Sequence, residues 1–595
     1  MLTGNFGNTD HFWGADITSA KNLFLMEGDM FKKISTLALA SLIALPAIAG
    51  AGSTNAADDL AAQVDRLTRE LNNLKAQMAA MKEGQGQGQG ADPRELADLK
   101  EQMKALQDNQ EAAFDDLDER SAAWDLASRF QLFGDFRARY DWYKGDLVTT
   151  PADMQSWQHD AVFVRGRNPY DRNEMMTDLL TQFGGGTLPM MSNDEVENTS
   201  LFTNRFRLNM RVKATENVEF KGRLAMYKAW GTNNIPDNLT TFGYPSFDGT
   251  SSREPRDSTL RVDRAFVNWN NIGGQPFWFS VGRRPTTDGP AAEMRMGLDE
   301  RVATPTAYMD WPFDGVSVGY AYANLFGMQD TPGRIRVCYG RGFENSLMYD
   351  DGSNIDDTDF AGVSWDIYNK DKRFLYLQSF MVFNAFNYPE FEDDNTNDFY
   401  DFFLGDRQNV GNLLHTSAVY EDKWQNLNYF VSAGWSRTMP DDDTGMFNDM
   451  LTQMMNPGAY SPNDDSENGY NIWVGARYDM DDLGLKLGLE YNHGSEYWIG
   501  MAPGHDDIYS GKLATRGDVY EAYMIWDLPT GEAISKFAKT FMRIGYQHYD
   551  YDYTGGSDWN IQPYDMDDIQ ATQWGTLMPT LEDADQVYVT FEAYF

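Results

Sequence analysis

The chain has 595 residues and carries 90 Asp and Glu against 49 Lys and Arg, a formal net charge of −41. That balance excludes nucleic acid as a partner, because a phosphate backbone demands a basic face. Its single cysteine, Cys338, excludes an intramolecular disulfide framework and any Cys-based metal cluster.

Residues 1–29 precede a complete export signal and are expected to be an over-extended start. The signal is read at 30–49: Phe31-Lys32-Lys33 is the basic segment, Ile34 to Leu45 the apolar one, and Ala47-Ile48-Ala49 the cleavage site. As a single-pass helix, 34–48 falls short of the ~20 residues that spanning needs. A heptad tract follows over 58–120, with Leu60, Val64, Leu67, Leu71, Leu74, Met78 and Met81 on one seam. The Gly/Gln run at 84–90 breaks helix and phase before a second seam from Leu96 to Leu117. So narrow an apolar stripe has nothing to bury it within the chain, so a periplasmic coiled coil is expected, with a hairpin of the two helices as the alternative.

From Phe130 the pattern changes to two-residue alternation. In 205–214, Arg205, Arg207, Asn209, Arg211 and Lys213 share one side, and Phe206, Leu208, Met210, Val212 and Ala214 the other. Lipid outside and water inside is the arrangement that gives such a strand a purpose, and abundant Tyr, Phe and Trp suit membrane girdles. Sixteen strands are predicted between 128 and 595, near 130–142, 203–214, 217–230, 258–270, 276–284, 313–323, 334–341, 359–368, 373–385, 412–422, 426–437, 470–479, 484–492, 517–527, 538–548 and 585–595. Segments 343–349 and 561–574 leave fourteen or eighteen open. The fourth strand puts Arg264 opposite Arg261 and Asp263, which a β-bulge near Asp263 would repair. Short and long connections alternate, as in an all-β antiparallel transmembrane barrel with short periplasmic turns. Its last strand places Val587, Val589, Phe591 and Phe595 on one face, which resembles the insertion signal read by the outer-membrane barrel-assembly machinery.

Three segments carry a wider resemblance: Asn204 to Leu208, Gly222 to Gly231, and Val281-Gly282-Arg283-Arg284-Pro285-Thr286-Thr287-Asp288-Gly289-Pro290. They resemble a family of outer-membrane porins of anaerobic Gram-negative bacteria that is catalogued without a defined function. The likeness covers about 120 to 595 and implies a barrel, with neither substrate nor catalytic residues. A coiled coil before a porin-sized barrel is also similar to several trimeric porins, which implies a homotrimer.

Porins of this size fold their third long loop inward, here 285–312. It carries Arg284 at its start, then Asp288, Glu293, Arg295, Asp299, Glu300 and Arg301. The basic wall expected opposite is Arg137, Arg139, Arg205, Arg207, Arg211, Lys213, Lys221 and Arg223. Facing across water, the two would make a transverse field; alternatively the arginines pair with Asp135, Asp141 and Glu219 and only hold the wall together. No cofactor is expected. The acidic outer loops suggest divalent cations that also bridge lipopolysaccharide, with Asp550, Asp552 and Asp558 as a weak calcium set because Ile561 stands where a bidentate Glu belongs. His505, in Gly504-His505-Asp506-Asp507, is a further weak metal contact.

The expected function is a porin in the bacterial outer membrane, passing small hydrophilic solutes or ions by passive diffusion. The alternative is a plugged structural barrel that docks a partner such as a multihaem cytochrome. No strand pair shows a nucleophile, His and acid together, so no enzyme is expected; Ser432 has no His partner.

Overall fold

The computed structural model describes most of 129–595; outside the description lie 1–128 apart from Arg69 and Lys104, and chiefly 150–191, 232–254, 345–354, 388–407 and 570–579. The expected export signal and, apart from Arg69 and Lys104, the expected coiled coil lie outside the described residues.

Sixteen strands close into one antiparallel barrel, each paired with its sequence neighbours and β1 with β16. They are β1 (Phe130–Thr149), β2 (Ser192–Lys213), β3 (Val218–Ala229), β4 (Arg261–Trp269), β5 (Phe277–Arg283), β6 (Asp314–Tyr322), β7 (Gly333–Phe343) and β8 (Thr358–Lys370). The second half supplies β9 (Arg373–Phe386), β10 (Asn409–Trp424), β11 (Leu427–Pro440), β12 (Asn468–Met480), β13 (Leu485–Gly494), β14 (Gly517–Asp527), β15 (Lys539–Tyr551) and β16 (Thr580–Tyr594). Closure leaves no unpaired strand edge, the condition for crossing a bilayer with strands.

The pleat sorts the residues. Outward positions are apolar and exposed, among them Val337 at 60%, Leu489 at 67% and Val431 at 50%. Aromatic pairs ring both rims: Tyr140–Phe202 and Tyr491–Tyr520 on the long-loop side, Phe277–Tyr320 on the short-turn side. Inward positions carry the charge and are buried, Asp135, Arg137, Arg139 and Asp141 of β1 among them. Between β3 and β4 the register shifts at Arg223/Leu224, whose partners are Arg264 and Val262, so Asp263 is the extra residue. The bulge turns both Asp263 and Arg264 inward, where they are buried.

The described parts of segments 343–349 and 561–574, residues 343–344 and 561–569, add no strand: β7 ends at Phe343 and Ile561 makes an isolated bridge with Asn448. Conversely β1 runs on to Thr149 and β2 begins at Ser192, beyond the apolar alternation. There the outward side chains include Lys144 and Glu195, which pair at 3.0 Å, so the sheet continues where its outer face is no longer apolar. Phe595 exchanges backbone hydrogen bonds with Gly134, 2.9 and 3.0 Å, and Phe591 and Phe595 face outward and exposed.

Among the described residues, apolar cores fill much of the lumen. Tyr308, Phe430, Trp473, Trp498 and Leu513 form one apolar core inside it, and Phe360, Phe386, Phe447, Met501 and Trp559 belong to another. Met446 and Phe447, in the connection after β11, are buried in the second core.

Candidate functional site

Among the described residues, connections 284–313, between β5 and β6, and 495–516, between β13 and β14, turn into the lumen and meet the charged wall. The first enters through the Val281–Pro290 run. Gly282 has φ 121°, and a Cβ there would lie 2.3 Å from the Ala265 carbonyl oxygen; one on Gly289 would lie 2.0 Å from that of Pro305, where the loop doubles back. Between them Thr287 and Asp288 dock on the wall. Asp288 Oδ2 accepts from Arg207 Nη1 at 2.9 Å and Arg223 Nη1 at 3.1 Å, and Thr287 Oγ1 accepts from Arg223 Nη2 at 2.8 Å. Beyond lies α1 (Ala292–Arg295), a single buried turn. Arg295 pairs with Asp507 and, at 3.0 Å, with Glu521 of β14, while Arg543 of β15 donates to the Arg295 carbonyl at 2.8 Å. Arg477 of β12 donates to the carbonyls of Met294 and Leu298 at 2.9 and 3.1 Å.

The second loop presents Asp506 and Asp507 to the same wall. Asp506 Oδ1 accepts from Arg137 and, at 2.9 Å, from Arg205; Oδ2 accepts from Arg543 at 3.0 Å, and the Asp506 carbonyl accepts from Arg139 at 2.8 Å. Burial opposes ionisation of Asp506, but Arg137, Arg205, Arg543 and Arg139 outweigh it and hold the carboxyl well below the usual carboxylate range. Lys512, fully buried, pairs with Glu490 of β13 and Glu521. Arg516 donates to the carbonyls of Trp498, Thr554 and Asp558 at 3.0, 2.8 and 2.7 Å. The loops also meet each other, Asp310 N donating to the Met501 carbonyl at 2.7 Å.

The sequence-derived residues thus lie in the lumen, in an arrangement that differs from the expected one. Loop carboxylates do not face the arginine wall across water: they touch it. Asp135 takes Arg207 at 2.8 Å and Arg205 at 3.2 Å, Asp141 takes Arg139 at 2.8 Å, and Glu219 takes Arg211 at 2.6 Å and Lys221 at 2.7 Å, which is the pairing alternative. Lys213 is exposed at the short-turn rim. Within the loop, Glu293 is buried and its carboxyl is pushed up by that burial. Asp299 binds Arg477, Lys486 and Lys539 at 3.2, 3.4 and 3.2 Å; burial opposes its ionisation, but Lys539, Lys486 and Arg477 hold it low. Glu300 is exposed, 3.6 Å from Lys372, and Arg301 donates to Glu421 at 3.1 Å. Arg284 bonds the Ser280 hydroxyl.

The calcium set does not assemble among the described residues. Asp558 is buried, its Oδ1 accepting from Asn560 N at 2.8 Å, and Asp550 sits on the outward face of β15. Asp552 instead joins His493 and Asp518, with donor atoms within 4.8 Å of one another, the one His/carboxylate group among the described residues with metal-ligand spacing. His505 lies outside the description, while its neighbours Asp506 and Asp507 serve as anchors. Those anchors, with Lys512, Arg543, Glu490 and Glu521, were missed in the sequence. The signal that could have found them is an acidic pair set in an apolar stretch, Met501-Ala502 before it and Ile508 after it, unlike the solvated acidic runs.

Two solved structures are similar over most of their length. One is titled Salmonella typhi OmpF complex with Daunomycin, at 13% identity and TM-score 0.33, covering 78% of this chain and 97% of that one. The other is outer-membrane expressed OmpT of Vibrio cholerae, at 9% identity and TM-score 0.34, with the same coverage of 78% and 97%. No curated protein matches the chain. Residues 195–595, from within β2 to the end of β16, match the family described as protein of unknown function (DUF3373), and the chain belongs to that family.

Proposed function

We propose that this is an outer-membrane channel of porin architecture whose lumen is restricted by two inward loops, passing small hydrophilic solutes or ions rather than serving as a wide diffusion pore. The observation that carries this is the burial of the wall: Arg137 and Arg139 are 1% exposed, and Arg205 and Arg207 4%. A water-filled constriction beside them would leave those guanidiniums wet. The side of the lumen under β1–β3 and β14–β16 is therefore read as closed, and the residual space as the cavity that loop 284–313 leaves under β6–β9. The reading includes no catalytic step. Lipopolysaccharide bridged by divalent cations at the acidic rim, homotrimerisation through the coiled coil and insertion by the assembly machinery belong to the same proposal.

The same burial favours a second reading, a sealed barrel that docks a partner such as a multihaem cytochrome. Planar-bilayer recording separates them. Small resolved current steps support the restricted channel. Silence from well-folded barrels supports docking, and wide, ohmic steps contradict both.

A further inference from the structure

Loop 284–313 leaves a cavity of about 110 Å³ against β6–β9, several times the ~10–15 Å³ that one water needs. Much of its wall is apolar, with Met309, Phe313, Phe360 and Phe380. Two groups in it want an acceptor. Arg284 donates to the Ser280 hydroxyl and lies 5.4 Å from the centre of the Phe266 ring, and no carboxylate pairs with it among the described residues. Other lumen arginines are paired: Arg207 with Asp135, Arg295 with Asp507, Arg336 with Asp366. The second group is Gln378, 4% exposed. Its Oε1 accepts from Thr306 N at 3.2 Å and from the Tyr376 hydroxyl at 3.1 Å, which fixes the amide, and its Nε2 has no acceptor among the described residues. A buried donor without an acceptor is a standing cost that a ligand can relieve.

We propose that this cavity binds small amphipathic carboxylates, the carboxylate on Arg284 and the hydrocarbon body among Met309, Phe313, Phe360 and Phe380. A neutral solute of the same shape leaves the arginine unpaired, and an inorganic anion leaves the apolar wall empty. The inference deepens the proposed function by naming a solute class for the side of the lumen that the arginine network leaves free.

Isothermal titration of the detergent-purified full chain with benzoate tests it, with benzyl alcohol as the neutral counterpart and the variants Arg284→Gln and Cys338→Phe. Cys338 lines the cavity, so a phenylalanine there fills it. Expected are benzoate binding to the wild type, weakening by about tenfold or more in Arg284→Gln, loss in Cys338→Phe, and weaker binding of benzyl alcohol. No benzoate binding to the folded wild type, or equal binding to both variants, overturns the site. Should Cys338→Phe not assemble, Arg284→Gln and benzyl alcohol decide alone. A barrel that binds benzoate yet passes no current sinks the channel and keeps the site; current without benzoate binding does the reverse.

Discussion

Replacing Asp506 by Asn keeps the shape of the side chain and removes the charge on which Arg137, Arg205 and Arg543 converge. Both sides of this cluster are buried, Asp506 at 7% and Arg137, Arg205 and Arg543 at 1%, 4% and 0%. Removing one partner of a buried ion pair costs about 3–5 kcal/mol, because the remaining charge stays out of water. Here the cations can relieve that cost by releasing loop 495–516 while the barrel stays closed. Each 1.4 kcal/mol is a factor of ten, so the loop should open at least ~100-fold more often. Limited proteolysis of the folded barrel reads this, with cleavage in 495–516 accelerating by a similar factor. Asp299→Asn is the control: Asp299 is 56% exposed, and solvent screening keeps its effect below about 1 kcal/mol. Equal cleavage of Asp506→Asn and wild type, in barrels of unchanged stability, refutes the anchoring role.

Other outcomes follow from the same contacts. Leu489→Arg puts a cation on the lipid face of β13, at about 2–4 kcal/mol, and should prevent the heat-modifiable folded band, whereas Asn209→Arg on the lumen face of β2 should leave it intact. Gly289→Ala drives a methyl onto the Pro305 carbonyl and should raise proteolysis of loop 284–313 without preventing barrel assembly. The Asp506 carboxyl is depressed, so its stabilisation is complete above the ordinary value of about 3.9 and is lost only as pH falls through its lower folded value. Proteolysis within 495–516 should therefore stay flat from neutral pH to about 4 and accelerate in stronger acid. A transition between pH 5 and 7 contradicts that assignment.

The barrel was legible because lipid imposes a period of two on every strand and tolerates few exceptions. The Arg264 register conflict even exposed the bulge at Asp263. Beyond the apolar band that constraint vanishes, which is why Tyr143 to Thr149 carried no strand signal. The inward loop 284–313 was found from its place after the fifth strand, yet its partners were not, because pairing across the lumen joins residues such as Arg137 and Asp506 that are 369 positions apart. Loop 495–516 carried no positional rule at all. Its acidic pair differs from a solvated Asp-Asp only in what surrounds it, and composition along the chain does not reveal which wall a loop will meet.

If the two loops close the arginine side of the lumen, water is kept from the wall beneath them. Thr203 and Lys213 both lie on the inward face of β2, the first fully buried and the second exposed. In a Cys338→Ser background, modification of Thr203→Cys and Lys213→Cys by a charged, water-soluble thiol reagent compares the two positions directly. Rapid reaction is expected at 213 and negligible reaction at 203. Comparable rates at both would mean that water reaches the wall the loops are said to cover, and would contradict that closure.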